Sequence, residues 1–188
     1  MKHVWQLALL ASLAGASVAA QTPAAPAAGD PLTTALKRQF EGVARNVKEA
    51  AEKMPADKFG FQPTKEQKTF AAQIGHVSNT HYMLCSRLKG EQNPNKEDFE
   101  KVAAKDAVVK GITGANEYCA SVLSAANDKW MMELAAGMGG QQVPRAAIIA
   151  GNTSHSNEIY GTVVTYLRLN NIVPPSTERS QAPRKPTQ

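Results

Sequence analysis

Apolar residues recur at steps of three and four along four segments of the chain, and no segment alternates apolar and polar residues as a strand does. The first segment has the clearest pattern. Asp30 stands at its N-cap, Pro31 takes the first helical position and Pro55 ends it. We therefore predict a helix over residues 31–54. Its apolar stripe consists of Leu32, Leu36, Phe40, Val43, Val47, Ala50 and Met54.

A second helix is predicted from a Thr69 cap to Lys89, where Gly90 supplies a C-terminal stop. The connection before it contains Phe59 and Phe61. Two aromatic residues in one loop indicate that the loop folds back over the core, because large apolar side chains are rarely left in water.

Two more helices complete the pattern. The third is predicted from an Asp106 cap through an apolar stripe that ends at Ala126, and a short helical turn is expected around Phe99 in the polar connection before it. A shorter amphipathic piece over residues 130–138 leads to the fourth helix, which is predicted over residues 144–171.

These elements predict a fold class and a domain organisation. Four amphipathic helices favour an all-α, up-and-down four-helix bundle over residues 31–173. Residues 1–20 combine a basic start, an apolar run too short to span a bilayer and a small-residue cleavage pattern, which indicates a signal peptide. Residues 21–30 are expected to form a flexible linker and residues 174–188 a disordered polar tail.

A cleaved signal peptide predicts a periplasmic or secreted protein with no membrane span in its mature form. No cysteine lies near the cleavage site, which argues against a lipoprotein anchor. The formal net charge is +5, and no stretch interleaves clustered Lys and Arg with aromatic residues, so nucleic acid is not an expected partner. A small-molecule ligand and a homodimer both stay open.

Cys85 and Cys119 are the two cysteines of the chain. In an oxidising compartment such a pair most often forms a disulfide, which would stabilise the fold by roughly 3–4 kcal/mol on the chain-entropy model. The alternative is a reactive or metal-binding pair of thiols. Export favours the disulfide.

Three histidines remain once His3 leaves with the signal peptide. His155 lies in the centre of an apolar stripe, where an unpaired imidazole costs roughly 1–3 kcal/mol, so it is either a core histidine with a polar neighbour or a metal ligand. His76 and His81 are five residues apart and do not share a helix face. Periodicity places His81 inward and His76 at the edge of the stripe, where a site between helices can still use it.

Several runs of residues resemble the DinB-like superfamily. Residues 69–77 (TFAAQIGHV) are similar to its second-helix signature. Residues 155–161 (HSNEIYG), followed by YLR and IVPPS, are similar to its last helix, and residues 54–64 (MPADKFGFQPT) to a loop of exported members. Together these runs cover most of the mature chain.

The resemblance implies an up-and-down four-helix bundle that holds a divalent metal ion, zinc or nickel, through three histidines. One histidine comes from the second helix, and the other two stand four residues apart on the last helix. His76 matches the first of these positions and His155 the second, whereas Ile159 stands at the third and cannot bind a metal. Two imidazoles are one ligand short of the three protein ligands that catalytic zinc sites usually have.

Two residues are candidates for an additional ligand. Glu158 lies three residues after His155, and its carboxylate suits zinc or a similar ion. Its angle on the helix differs from that of Ile159 by roughly 100°, which favours a solvated surface residue. His81 is the second candidate, if the second helix rotates inward.

The resemblance leaves two functions open. Characterised relatives are thiol-dependent transferases and isomerases, which implies a metal-dependent enzyme of transferase or hydrolase type. The missing third histidine, and the lack of a Ser/His/Asp or Cys/His arrangement, favour an exported bundle that binds a divalent metal through a degenerate histidine site without an assigned reaction.

Overall fold

A computed structural model describes residues 29–183 of the chain. The predicted signal peptide, residues 1–20, and most of the predicted linker, residues 21–28, lie outside the described residues, as do residues 184–188 of the predicted tail. Within residues 29–183, no helix is long and apolar enough to cross a membrane.

Helices dominate the described chain, so the all-α prediction is confirmed. Helix α1 spans Pro31–Lys53, α2 spans Phe70–Lys89 and α3 spans Lys105–Leu123. A short helix, α4, spans Asp128–Met132, and the long helix α5 spans Arg145–Leu169. The four long helices, α1, α2, α3 and α5, bury most of the apolar stripes that the sequence predicted for them, whereas Leu32 at the start of α1 is exposed.

Helix α2 begins and ends as its sequence predicts. The Thr69 hydroxyl accepts a hydrogen bond of 3.2 Å from the Ala72 N–H, which satisfies a donor that the first turn leaves free. At the other end Gly90 has φ +78°, a backbone conformation that favours glycine because a Cβ would be strained there.

One predicted cap stands at its position and one does not. Asp30 is the N-cap residue of α1 as predicted, but its carboxylate accepts a hydrogen bond of 2.9 Å from the Asp128 N–H and makes no capping hydrogen bond to the helix. Helix α3 begins at Lys105, before the predicted cap Asp106. The Lys105 ammonium donates to the Met54 carbonyl at 2.9 Å, so a contact with the end of α1 fixes this start.

The absence of strands was also predicted wrongly. The helical piece expected over residues 130–138 ends with α4, and a small antiparallel hairpin follows, with β1 at Leu134–Ala136 and β2 at Gln142–Pro144. Its turn uses Gly139 and Gly140, whose φ angles are +71° and +80°. Three-residue strands are too short to show a period of two, so the sequence pattern could not indicate them.

The tail that was predicted to be disordered contains a sixth helix, α6, over Pro175–Gln181. Two ion pairs tie it to α1, one between Lys53 and Glu178 and one between Glu49 and Arg179. The polar, proline-rich composition of this segment indicated a loose tail. Composition could not reveal the ion pairs, because Glu49 and Lys53 lie far away in sequence.

The direction of α3 differs from the alternating order of an up-and-down bundle. His81 pairs with Asn116, and one turn later Cys85 pairs with Cys119, so α2 and α3 run in the same direction. The connection over residues 90–104 makes this arrangement possible. Fifteen extended residues reach about 50 Å, more than the roughly 30 Å length of α2.

The buried core has two parts. One lies at the end of the bundle where Phe59, Phe70 and Tyr166 pack together, and the 1% exposure of Phe59 confirms that the loop before α2 folds back over the core. The other surrounds the disulfide between Cys85 and Cys119, whose Cα atoms are 5.3 Å apart. The disulfide joins α2 to α3 within apolar surroundings.

Candidate functional site

His76 on α2 and His155 on α5 face each other across the bundle. Their Nε2 atoms are 2.9 Å apart and their ring centroids 5.0 Å apart. Both residues are partly buried, with the His76 side chain 30% exposed. The structure therefore brings together the two histidines that the sequence selected as metal ligands.

Glu100 is a member of this site that the sequence did not indicate. Its Oε1 atom lies 2.6 Å from Nδ1 of His76, on the opposite side of the ring from His155. Glu100 belongs to a turn of 3₁₀-helix, Phe99–Lys101, which confirms the short helical turn expected around Phe99. Only the folded connection between α2 and α3 brings this carboxylate to α2, so sequence spacing gave no signal for it.

The turn that carries Glu100 packs closely on α2. Asn79 accepts a hydrogen bond of 3.1 Å from the Phe99 N–H and donates one of 3.0 Å to Asp98. Gly75 provides the space for this contact, because a Cβ at that position would lie 2.1 Å from the carbonyl oxygen of Phe99. Glycine at position 75 therefore lets the backbone of the turn approach His76.

We expect Gly75→Ala to destabilise the protein by about 1–3 kcal/mol, because the added methyl group displaces the Phe99 turn. The matched control is Gly42→Ala in α1, where a Cβ would meet no atom within 4 Å. That change should be neutral or stabilising by up to about 1 kcal/mol. Urea unfolding of both variants measures the difference, and equal stabilities would contradict the close contact.

The electrostatics of the site favour an oriented His76 and a neutral His155. Burial opposes ionisation of Glu100, but hydrogen bonds from Lys68 and His76 outweigh it and lower the pKa of Glu100. An ionised carboxylate only accepts hydrogen bonds, so His76 donates from Nδ1–H, and its Nε2 presents a lone pair when the ring is neutral. Burial, followed by the neighbouring His76, lowers the pKa of His155, and Glu158 offsets only part of this effect.

The two candidates for an additional ligand do not join the pair. His81 is fully buried, as periodicity predicted, but both of its ring nitrogens are used: Nδ1 lies 2.9 Å from Oδ1 of Asn116 and Nε2 lies 3.0 Å from Oγ of Ser156. Glu158 is exposed, and its carboxylate makes no hydrogen bond to any described residue. His81 is therefore a satisfied core histidine, and Glu158 lies on the helix surface.

The donors do not fit a resident catalytic metal ion. Ile159 is partly buried against the apolar core, and within residues 29–183 no group of three or more His, Cys, Asp and Glu side chains is arranged around one metal position. Two imidazole donors remain, and their Nε2 atoms are within hydrogen-bond distance of each other. Nitrogens that share a tetrahedral zinc ion lie roughly 3.3 Å apart, so a shared ion would require the pair to open slightly and His155 to give up its Nε2–H.

A cavity of about 600 Å³ begins at the histidine pair and continues between α2, α5 and the hairpin. Its lining consists of His76, Thr80, Met83, Leu84, Gly137, Met138, Gln141, Val143, Ala147, Ile148, Gly151 and His155. A larger depression of about 840 Å³ lies beside α3 and includes neither histidine. Of these two cavities, the one at the pair combines apolar walls with the candidate ligands.

Sequence comparison relates the chain to one family. The family model described as the DinB superfamily matches residues 39–162, about two thirds of the chain. The matched segment includes His76, Glu100 and His155. No curated protein matches the chain.

Solved structures share the fold at low sequence identity. A DinB-like protein from Bacillus cereus ATCC 10987 has a TM-score of 0.66 at 12% identity, covering 76% of this chain and 95% of its own. A DinB-like protein from Bacillus subtilis has a TM-score of 0.57 at 15% identity, covering 73% and 92%. A mycothiol-dependent maleylpyruvate isomerase has a TM-score of 0.56 at 14% identity, but the match covers 70% of this chain and only 59% of the isomerase.

Proposed function

This chain belongs to the DinB superfamily, and on that premise we propose that it is an exported binding protein that holds a divalent metal ion reversibly through His76 and His155. Zinc and nickel are the ions that suit imidazole donors here. The observation that carries the proposal is the approach of the two Nε2 atoms to 2.9 Å.

The contact between His76 and Glu100 supports the same proposal. A ligating histidine usually donates its other ring N–H to a carboxylate or carbonyl, which fixes the tautomer and turns the lone pair toward the metal. His76 has this arrangement, with Glu100 2.6 Å from Nδ1. Lys68 also contacts Glu100, so the carboxylate is held from two sides.

Reversible binding follows from the number of donors. Two imidazoles leave the remaining coordination positions to water or to a ligand in the neighbouring cavity, and each absent protein ligand weakens the hold on the ion. The alternative is a metal-dependent transferase or hydrolase reaction, which the cavity beside the pair would favour. Ile159 at the third ligand position favours binding over catalysis, and the isomerase shares only part of its length with this chain.

Export is the second part of the proposal. The signal-peptide pattern of residues 1–20 supports it, and so does the disulfide between Cys85 and Cys119, because disulfides persist mainly in oxidising compartments. In a periplasmic or secreted location a membrane separates the protein from the low-molecular-weight thiols of the cytoplasm, so these thiols would not serve as its co-substrates.

Calorimetric titration of the mature protein, residues 21–188, with zinc or nickel tests the proposal. We expect one ion per chain, and His76→Ala and His155→Ala should each abolish binding because either change leaves a single imidazole. Glu100→Gln should weaken binding by about 10-fold through loss of the oriented tautomer.

Glu158→Ala is the matched control, because Glu158 is next to the site in sequence but exposed. It should leave the affinity unchanged. Absence of metal binding by the unaltered protein, or binding that survives both histidine substitutions, would refute the proposal.

A further inference from the structure

The cavity beside the histidine pair has an apolar body and one polar end. We infer that the metal-free protein binds in it an uncharged, largely apolar molecule that carries a hydroxyl group or another hydrogen-bond donor at one end. The proposed metal site does not require this ligand. The shape of the cavity and the hydrogen bonds of the histidine pair support its binding.

The length of the cavity follows from two antiparallel helices. His76 and Leu84 mark its limits on α2, and His155 and Ala147 mark them on α5. The two residues of each pair are eight positions apart, and at 1.5 Å per residue each separation corresponds to about 12 Å. A slender molecule can therefore lie along the two helices with one end at the imidazoles.

The walls of the cavity favour an uncharged ligand. Among the residues that the structure describes, none of those lining it is Asp, Glu, Lys or Arg. The lining includes the apolar side chains of Met83, Leu84, Val143 and Ile148, and Met138 of the hairpin turn, whose sulfur lies 3.3 Å from the Arg87 guanidinium of α2. Arg87 borders the cavity and donates to the Gly137 carbonyl at 2.8 Å, but it does not line the cavity. A charged group among the lining residues would therefore lose water without a lining side chain of opposite charge.

The polar end of the cavity favours a donor. With both rings neutral, Glu100 accepts from Nδ1–H of His76, and Nε2 of His76 then accepts from Nε2–H of His155. Nδ1 of His155 is left as an acceptor, and it makes no hydrogen bond to any residue within 29–183. A hydroxyl group can donate to this nitrogen, whereas a carboxylate would meet its lone pair and the negative charge of Glu100.

Two molecules of equal chain length test this preference: 1-octanol and octanoate. Calorimetric titration of the mature protein at pH 8, with EDTA to remove metal, should show 1-octanol binding at least 10-fold more tightly than octanoate. Affinity should also fall by about 4-fold for each CH₂ group removed from the alcohol, because each one gives up buried apolar surface.

Gly151→Leu tests the location. Gly151 lines the cavity on α5, and a Cβ there meets no atom within 4 Å, so the new side chain enters the open volume. The matched control is Gly161→Leu on the same helix, which also meets no atom but lies outside the cavity. We expect Gly151→Leu to reduce octanol affinity at least 10-fold and Gly161→Leu to leave it unchanged.

Any of three results would overturn the inference: no binding of 1-octanol, octanoate binding as tight as octanol binding, or equal affinities of the two leucine variants. None of these results bears on metal binding, which is measured without the alcohol. Conversely, a protein that binds no metal would leave the octanol measurements valid, because they are made in the presence of EDTA.

Discussion

We expect Ile159→His to raise the affinity for zinc or nickel by on the order of 100-fold. Residues that only orient a metal ligand already contribute about 10- to 100-fold to metal affinity, and a direct ligand should contribute at least as much. Position 159 lies one helical turn after His155, so a histidine there projects from the same face of α5. The third imidazole would complete the three protein ligands that stable zinc sites usually have. Competition against a chelator of known affinity measures the change.

Asn157→His is the matched control for this prediction. It adds the same side chain to the same helix, but position 157 is exposed and turned roughly 200° away from His155. Its metal affinity should equal that of the unaltered protein. If Asn157→His gains as much affinity as Ile159→His, the gain comes from an extra surface histidine and not from completion of the pair.

Ile159→His also removes a partly buried apolar side chain from the edge of the core. We expect it to cost about 1 kcal/mol of stability without metal, as surface-adjacent core substitutions commonly do. Bound metal should restore that loss, since an ion that binds only the folded state stabilises it by mass action. Thermal unfolding with and without zinc separates the two effects.

Acid destabilisation through His81 is the second large expected effect. His81 is completely buried beside the Phe40 ring, and burial, more than any other cause, lowers its pKa from 6.5 to about 4. Asn116 opposes this shift and His155 adds to it. The Asn116 amide donates to the Ala44 carbonyl at 3.1 Å, which turns its Oδ1 atom toward Nδ1–H of His81.

The sign of the pH dependence follows from the lowered pKa. The unfolded chain binds a proton at His81 near pH 6.5, whereas the folded protein does not until about pH 4. The stabilising contribution is therefore complete above pH 6.5 and is lost as the pH falls toward 4. Between pH 7.5 and pH 5 the loss amounts to about 2 kcal/mol.

Urea unfolding at several pH values measures this loss, and His81→Gln serves as the comparison because glutamine does not titrate. The variant should be less stable at pH 7.5, since it disturbs the hydrogen bonds to Asn116 and Ser156, but its stability should fall less between pH 7.5 and pH 5. His155 contributes in the same direction in both proteins, and less strongly because it is more exposed. Parallel pH profiles for the two proteins would show that His81 is not the titrating group.

The elements that the sequence predicted well are those with local causes. Thr69 and Gly90 mark the two ends of α2, and Pro31 and Pro55 mark those of α1, because caps and proline act through neighbouring backbone groups. Periodicity also distinguished the buried His81 from the half-exposed His76. His76 still became a site residue, because two helices contact α2 and the edge of its stripe faces α5.

The features that the sequence missed depend on contacts between distant residues. The Glu100 carboxylate reaches His76 only because the connection after α2 returns along that helix, which also makes α2 and α3 parallel. Helix α6 contacts α1 through ion pairs between residues far apart in sequence, and the hairpin turns at Gly139 and Gly140. Composition and periodicity carry no information about such pairings.

The most direct test of the two-histidine metal site is a crystal structure of the mature protein grown with saturating zinc, with anomalous scattering recorded at the zinc edge. One anomalous peak should lie between the Nε2 atoms of His76 and His155, with water or another non-protein ligand in the remaining positions. A peak bound by a third protein side chain, a peak elsewhere with none at the pair, or no peak at all would contradict a two-histidine site.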